Sequence, residues 1–192
     1  MDNKQAVDPE WDLIIEPKGH LLNLNFKEVW KYRDLLVLFV RRDFVASFKQ
    51  TILGPLWHII QPALTTIMFL FVFNRVAKIP TDGIPPVLFY LSGISIWNYF
   101  SSCLLGTSST FVSNAGMFGK VYFPRLVIPL SVVASNIVKL AIQLGLLTAV
   151  FIWYAFHGYV FHFTWAMLLI PALIIIVAFT GMGLGIIFSS LT

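Results

Sequence analysis

The sequence predicts an all-α, polytopic transmembrane helix bundle of four spans, preceded by an amphipathic helix at the membrane interface. Between Gly83 and Thr192 there is no carboxylate, and the only charged side chains are Lys120, Arg125 and Lys139. An ionisable group near the bilayer centre costs several kcal/mol, about 2.5–3.5 on insertion scales, so a hydrocarbon solvent selects such emptied stretches. The whole chain is 58% hydrophobic and 11% charged, far below the roughly 25% charged residues of an average soluble domain. Its apolar runs also reach the roughly 20 residues that cross a ~30 Å hydrocarbon core.

Residues 1–24 mix acidic residues with Pro9, Pro17 and Gly19 and read as a weakly ordered cytoplasmic lead. Residues 25–54 form the interface helix region. Asn25 can cap a helix with Glu28 at its third position, and Phe26, Val29, Trp30, Leu36, Val37, Val40 and Phe44 recur at helical spacing. Trp30, Arg33, Arg41, Arg42 and Lys49 supply the aromatic and basic groups that suit lipid headgroups. Residues 55–192 form the transmembrane domain, with spans at about 55–76, 87–112, 126–154 and 165–188. Pro55 suits the first helix start and Trp57 the headgroup boundary, and Arg75 to Pro86 make a polar turn.

Orientation follows from the cations. Eight of the thirteen Lys and Arg residues precede the first span, and Lys120 and Arg125 lie between the second and third. Both segments are therefore expected in the cytoplasm. The net charge of +4 forms no basic stripe, which argues against nucleic acid as a partner. Cys103 is the single cysteine, so an intrachain disulfide framework and a Cys-based zinc site are excluded. No Gly-x-x-x-x-Gly-Lys-Ser/Thr loop is present, so no cofactor is expected on this chain.

Three features carry chemistry. Ser95, Asn98, Ser102 and Ser109 make a polar line along the second span, with Tyr99 among its aromatic neighbours. Hydroxyls in lipid serve either as helix-to-helix hydrogen bonds or as the wall of a hydrated path, and aromatic faces beside them suit a carbohydrate. Lys139 is the lone charge inside the third span. It reads either as a contact for a lipid phosphate or sugar acid, or as a snorkelling side chain. The loop 113–125 carries Met117, Phe118, Tyr122 and Phe123, flanked by Lys120, Pro124 and Arg125. Such a short apolar segment fits the groove of a partner protein or lies on headgroups. Gly181 to Gly185 add a small-residue packing patch in the fourth span.

Four ordered blocks resemble a known family: Phe48-Lys49-Gln50-Thr51-Ile52-Leu53-Gly54-Pro55-Leu56-Trp57, then Ile60-Gln61-Pro62, Ala77 to Gly83, and Gly119 to Leu126. Together they look like permeases of ABC-2 type exporters for O-antigen, teichoic acid, capsule and other cell-surface polysaccharides. The resemblance implies six spans, of which four are present, in a homodimer of the bacterial inner (plasma) membrane. It also implies a separate ABC ATP-binding subunit carrying ATP and Mg, contacted by the 113–125 loop, and a lipid-linked or free polysaccharide substrate. On this reading the chain is C-terminally truncated and is a transporter part, not an enzyme. The family's Arg-Tyr pair before Lys-Gln-Thr is replaced here by Ser47-Phe48. An integral membrane glycosyl or acyl transferase and a non-transporting anchor subunit remain the alternatives from other classes.

Overall fold

A computed structural model describes residues 26–49, 54–118, 123–160 and 165–191. The lead 1–24, the Asn25 cap, Lys120 and Tyr122 lie outside the described residues. Every regular element among those described is helical. Helices α1 (Phe26–Lys31) and α2 (Arg33–Lys49) precede α3 (Trp57–Phe69), which follows a 3₁₀ turn at Gly54–Leu56 and continues as a π-helical stretch, Leu70–Val76. Then come α4 (Pro86–Ser108), α5 (Thr110–Ser113), α6 (Ala115–Phe118), α7 (Val127–Phe156), a 3₁₀ turn at Trp165–Leu169, and α8 (Ile170–Leu191).

Four helical stretches are long and apolar enough to cross a membrane: Trp57–Val76, Pro86–Ser108, Val127–Phe156 and Met167–Leu191. The chain is a multi-span all-α bundle. The helix of the second span ends at Ser108, short of 112, and the backbone breaks twice before α6 ends. α4 is the hub: it packs against α3, α7 and α8, and 39% of its most apolar window is buried, against 11–17% for the other three. Large apolar side chains such as Ile137, Leu173, Ile176 and Phe179 point outward, which suits a lipid-facing exterior where no water must be excluded.

The contact between α4 and α8 is built on glycine. A Cβ on Gly185 would sit 2.7 Å from both the Leu104 carbonyl oxygen and Thr107 Cβ, and one on Gly181 would sit 3.1 Å from Cys103 Cβ. These positions, one turn apart, let the backbones approach as small-residue motifs in lipid do. Gly183, between them, meets nothing within 4 Å. Only the spaced pair of the predicted patch therefore makes the seam.

The interface helix departs from the predicted form in two ways. It is divided at Tyr32 into α1 and α2, and its apolar residues split between two sides. Val29, Tyr32, Leu35, Leu36 and the buried Phe39 pack inward on Phe123, Val127 and Ile128, whereas Trp30 (70% exposed) and Val37 (62%) face outward. The apolar positions read from spacing therefore do not share one face: one set packs on the bundle and the other is exposed. Arg33 and Arg41 are exposed, and Arg42 lies over the Phe39 ring with its guanidinium 4.9 Å from the centroid. Lys49 is the last residue of α2.

The opposite end has its own ties. The Tyr159 hydroxyl donates to the Gly83 carbonyl at 2.7 Å, linking the α3–α4 and α7–α8 connections. Gly83 (φ 82°) and Gly158 (φ 85°) hold the left-handed conformations that these turns require.

Candidate functional site

Polar side chains from three helices converge on one cleft of about 260 Å³. α7 contributes Asn136, Lys139, Leu140 and Gln143, a spacing of three, four and seven that keeps them on one helical face. α4 contributes Asn98, Tyr99, Ser101 and Ser102, and the first turns of α3 contribute His58 and Gln61. Pro62, buried one residue further on, supplies no N–H to the α3 ladder. The Asn136 amide donates to the Cys103 sulfur at 3.9 Å, pinning α7 to α4 beneath the cleft. Gln143 is 7% exposed, and its Oε1 is buried with no hydrogen-bond partner among the described residues.

A second cleft of about 480 Å³ adjoins the first, because Ser102, Asn136 and Lys139 line both. Asp43 and Ala46 of α2 form its other wall. Asp43 is held by its neighbour Arg42, Nη2 to Oδ1 at 2.9 Å. Lys139 therefore stands at the divide between a pocket of amides and hydroxyls and a passage that leads to the N-terminal helix. Among the described residues Lys139 makes no ion pair within 4 Å.

The predicted polar line divides accordingly. Asn98, Tyr99, Ser102 and Lys139 line the cleft. Ser95 is fully buried and donates to the Leu91 carbonyl at 2.7 Å. Ser109 is exposed and lies 3.3 Å from the Leu105 carbonyl. Neither Ser95 nor Ser109 is among the cleft-lining residues, because back-bonding to a carbonyl of the preceding turn satisfies each within its own helix. Gln61, Asn136 and Gln143 join the path only in the folded chain. The available signal was the Asn136, Lys139, Gln143 stripe on an otherwise apolar helix.

The loop residues divide as well. Phe123 is 6% exposed and packs edge-on to Phe39 with ring centroids 6.2 Å apart. Met117 is half-buried against the same cluster. Phe123 therefore is not offered to a partner's groove or to headgroups as the loop reading has it: its acceptor surface lies within the chain. Arg125 is exposed and Pro124 half-buried, and Phe118 ends α6.

Comparison with known proteins places this architecture. The family described as ABC-2 type transporter matches residues 34–192. An "O-antigen export system permease protein RfbA" of Myxococcus xanthus is 28% identical over 150 residues, covering 78% of this chain and 55% of that protein. Proteins of the same name from Klebsiella pneumoniae are 34% and 33% identical over 98 residues, covering 51% of this chain and 37% of theirs. The chain thus spans about half the length, or less, of these curated relatives. With four helices long and apolar enough to cross a membrane and the family match running from α2 to residue 192, the chain belongs to the ABC-2 type transporter family.

Proposed function

We propose that this chain is permease sequence of an ATP-driven ABC exporter that moves a cell-surface polysaccharide, lipid-linked or free, outward across the bacterial plasma membrane. The observation that carries this reading is the polar cleft among α3, α4 and α7, set in spans that carry almost no charge. Its support comes from relatives named for O-antigen export. The N-terminus faces the cytoplasm, in keeping with the eight cations ahead of the first span. Trp30, Arg33, Arg41, Arg42 and Lys49 lie along the headgroup layer.

Energy enters from a separate ABC ATP-binding subunit that holds ATP and Mg, and the permease works as a homodimer. Arg125 and the neighbouring Phe118, Lys120, Tyr122 and Pro124 meet that subunit. Met117 and Phe123 pass the displacement to α2 and the start of α7 through the Phe39 cluster. Moving α7 changes the width of the cleft, because α7 supplies one of its walls. A wall of amides and hydroxyls accommodates water and sugar in either packing, so the two states differ by little free energy. Asn98, Tyr99, Ser102 and Lys139 line the path.

The test uses the complete protein with its ATP-binding partner. Arg125→Glu should uncouple ATP hydrolysis from glycan export by at least tenfold while leaving the protein level unchanged. Unaltered coupling would remove the loop from the mechanism. An anchor role would be supported by a dry, fully packed polar face on α4, and the cleft at Asn98, Ser101 and Ser102 does not supply one. A transferase role requires acid, base or metal groups converging on one place; the 260 Å³ cleft brings His58 and Lys139 together but, among its described lining residues, no carboxylate.

A further inference from the structure

We infer that the furrow between α7 and α8 holds one acyl chain of a phospholipid whose headgroup carries an ammonium, as phosphatidylethanolamine does. The site requires only that the bundle spans a bilayer, whatever it exports. Helices α7 and α8 both pack along α4 but touch each other little, so the side of α4 between them becomes the floor of a furrow. Its deep part is a cavity of about 140 Å³ with Ile96, Leu144, Leu173 and Val177 in its walls. Tyr99 and Leu140, each 4% exposed, stand at the inner end. The shallow part is a cavity of about 480 Å³ beside the α3–α4 turn and Tyr159. Ser92 and Leu147 line both, so the two are continuous. The Ser92 hydroxyl donates to the Phe89 carbonyl at 2.9 Å, so its polarity is met within α4.

Size, depth and charge name the occupant. A cavity of about 140 Å³ is close to the roughly 150 Å³ apolar cavity that takes a benzene. A single helical turn, about 10 Å across and 5.4 Å high, does not fit there, whereas a flexible hydrocarbon chain does. From Leu88 in the shallow part to Tyr99 in the deep part runs eleven residues of α4, about 16 Å at 1.5 Å per residue. That is half of a ~30 Å hydrocarbon core, so the furrow serves one leaflet, the one on the side of the α3–α4 and α7–α8 connections. At its mouth Asp82 is the only charged residue among the described lining residues, and Lys78 of the same turn does not line it. Asp82 makes no ion pair within 4 Å among the described residues. A carboxylate there attracts an ammonium and opposes a headgroup of net negative charge. An ethanolamine headgroup meets that sign, whereas phosphatidylglycerol and a polyprenyl phosphate do not.

Photolabelling of the complete protein tests this, in vesicles of equal phosphatidylethanolamine and phosphatidylglycerol. Two trace probes carry the same diazirine near the end of one acyl chain, one with each headgroup. With the phosphatidylethanolamine probe, labelling at Ile174 in the furrow wall should exceed that at Ile176, exposed on the same helix, at least fivefold. The phosphatidylglycerol probe should label Ile174 at least threefold less, and Asp82→Asn should remove that difference. Leu144→Trp, which fills the deep cavity, should lower Ile174 labelling at least fivefold and leave Ile176 unchanged. Equal labelling of Ile174 and Ile176 in the unaltered protein shows ordinary bilayer contact and overturns the site, whether or not Leu144→Trp folds. Absence of label from Ile174 overturns it too, because a protein segment then covers the furrow. Equal labelling of Ile174 by the two probes overturns the headgroup assignment. Suppression of Ile174 labelling by unlabelled polyprenyl phosphate more strongly than by phosphatidylethanolamine gives the furrow to a lipid carrier and overturns the phospholipid. No readout involves glycan or ATP, so loss of glycan export with this labelling intact refutes the exporter reading alone.

Discussion

Two faces of α4 solve the same packing problem in opposite ways. Toward α8 it meets Gly185 so closely that a Cβ there is excluded at 2.7 Å, and one on Gly181 would sit at 3.1 Å. Toward α3 and α7 it leaves a polar cleft that shares Lys139 with a second opening. The first contact gains dispersion and has one arrangement. The second packs closely at Gly106 against Val132 and at Cys103 with Val133 and Leu140, and opens beside Asn98 and Ser102, where the long Asn136 to Cys103 bond spans it. In lipid, where no hydrophobic effect drives helices together, the tight seam is the fixed part and the polar gap is where a second packing is available. Motion in this chain is therefore expected at the polar gap lined by α3, α4 and α7.

Substitution at the seam should have the largest effect. Gly185→Leu places side-chain atoms where 2.7 Å contacts to Leu104 and Thr107 already exclude a Cβ. The cost should reach or exceed the upper end of the about 1–3 kcal/mol typical of overpacking, seen as loss of monodisperse protein in detergent. Gly183→Ala, with open space at its Cβ, should leave thermal stability unchanged and serves as the control. A tolerated Gly185→Leu would erase the contrast between the two faces.

Next in size is the contact that ties the loop to the N-terminal helix. A double-mutant cycle with Phe39→Leu and Phe123→Leu should report a coupling of about 0.5–1.5 kcal/mol, as for other edge-on aromatic pairs. Additive effects would separate α2 from the loop. Tyr159→Phe removes one exposed hydrogen bond to Gly83 and should cost about 0.5 kcal/mol, the low end for such bonds. Ser102→Ala, in the cleft, should change stability by less than about 0.5 kcal/mol, because its surroundings are not closely packed.

Much of this arrangement was legible from composition. The four spans follow from the missing charges, and the glycine seam from Gly181 and Gly185 one turn apart. Asn98, Ser102 and Lys139 stood out because polarity is conspicuous in an apolar helix. Other features depended on which helices meet. Ser95 looks like Ser102 in sequence, yet it faces a packed neighbour and back-bonds to Leu91. Phe123 reads as an exposed loop aromatic until α2 is folded over it and covers it with Phe39. Gln143 acquires significance only when α3 and α4 close a wall opposite it. The division of α2 into a packed side and an exposed apolar side was illegible for the same reason: spacing marks apolar positions and cannot tell which of them meet the bundle.

Cysteine accessibility tests the central claim that the α3–α4–α7 cleft is a watered path and the helix exteriors are not. Cys103 is fully buried and serves as a silent background. In proteoliposomes of the complete protein, Ser102→Cys should react with a water-soluble maleimide supplied on the N-terminal side. Ile137→Cys, on the exposed apolar side of α7, should not. Equal reaction at both positions, or reaction at Ile137→Cys alone, would contradict the account.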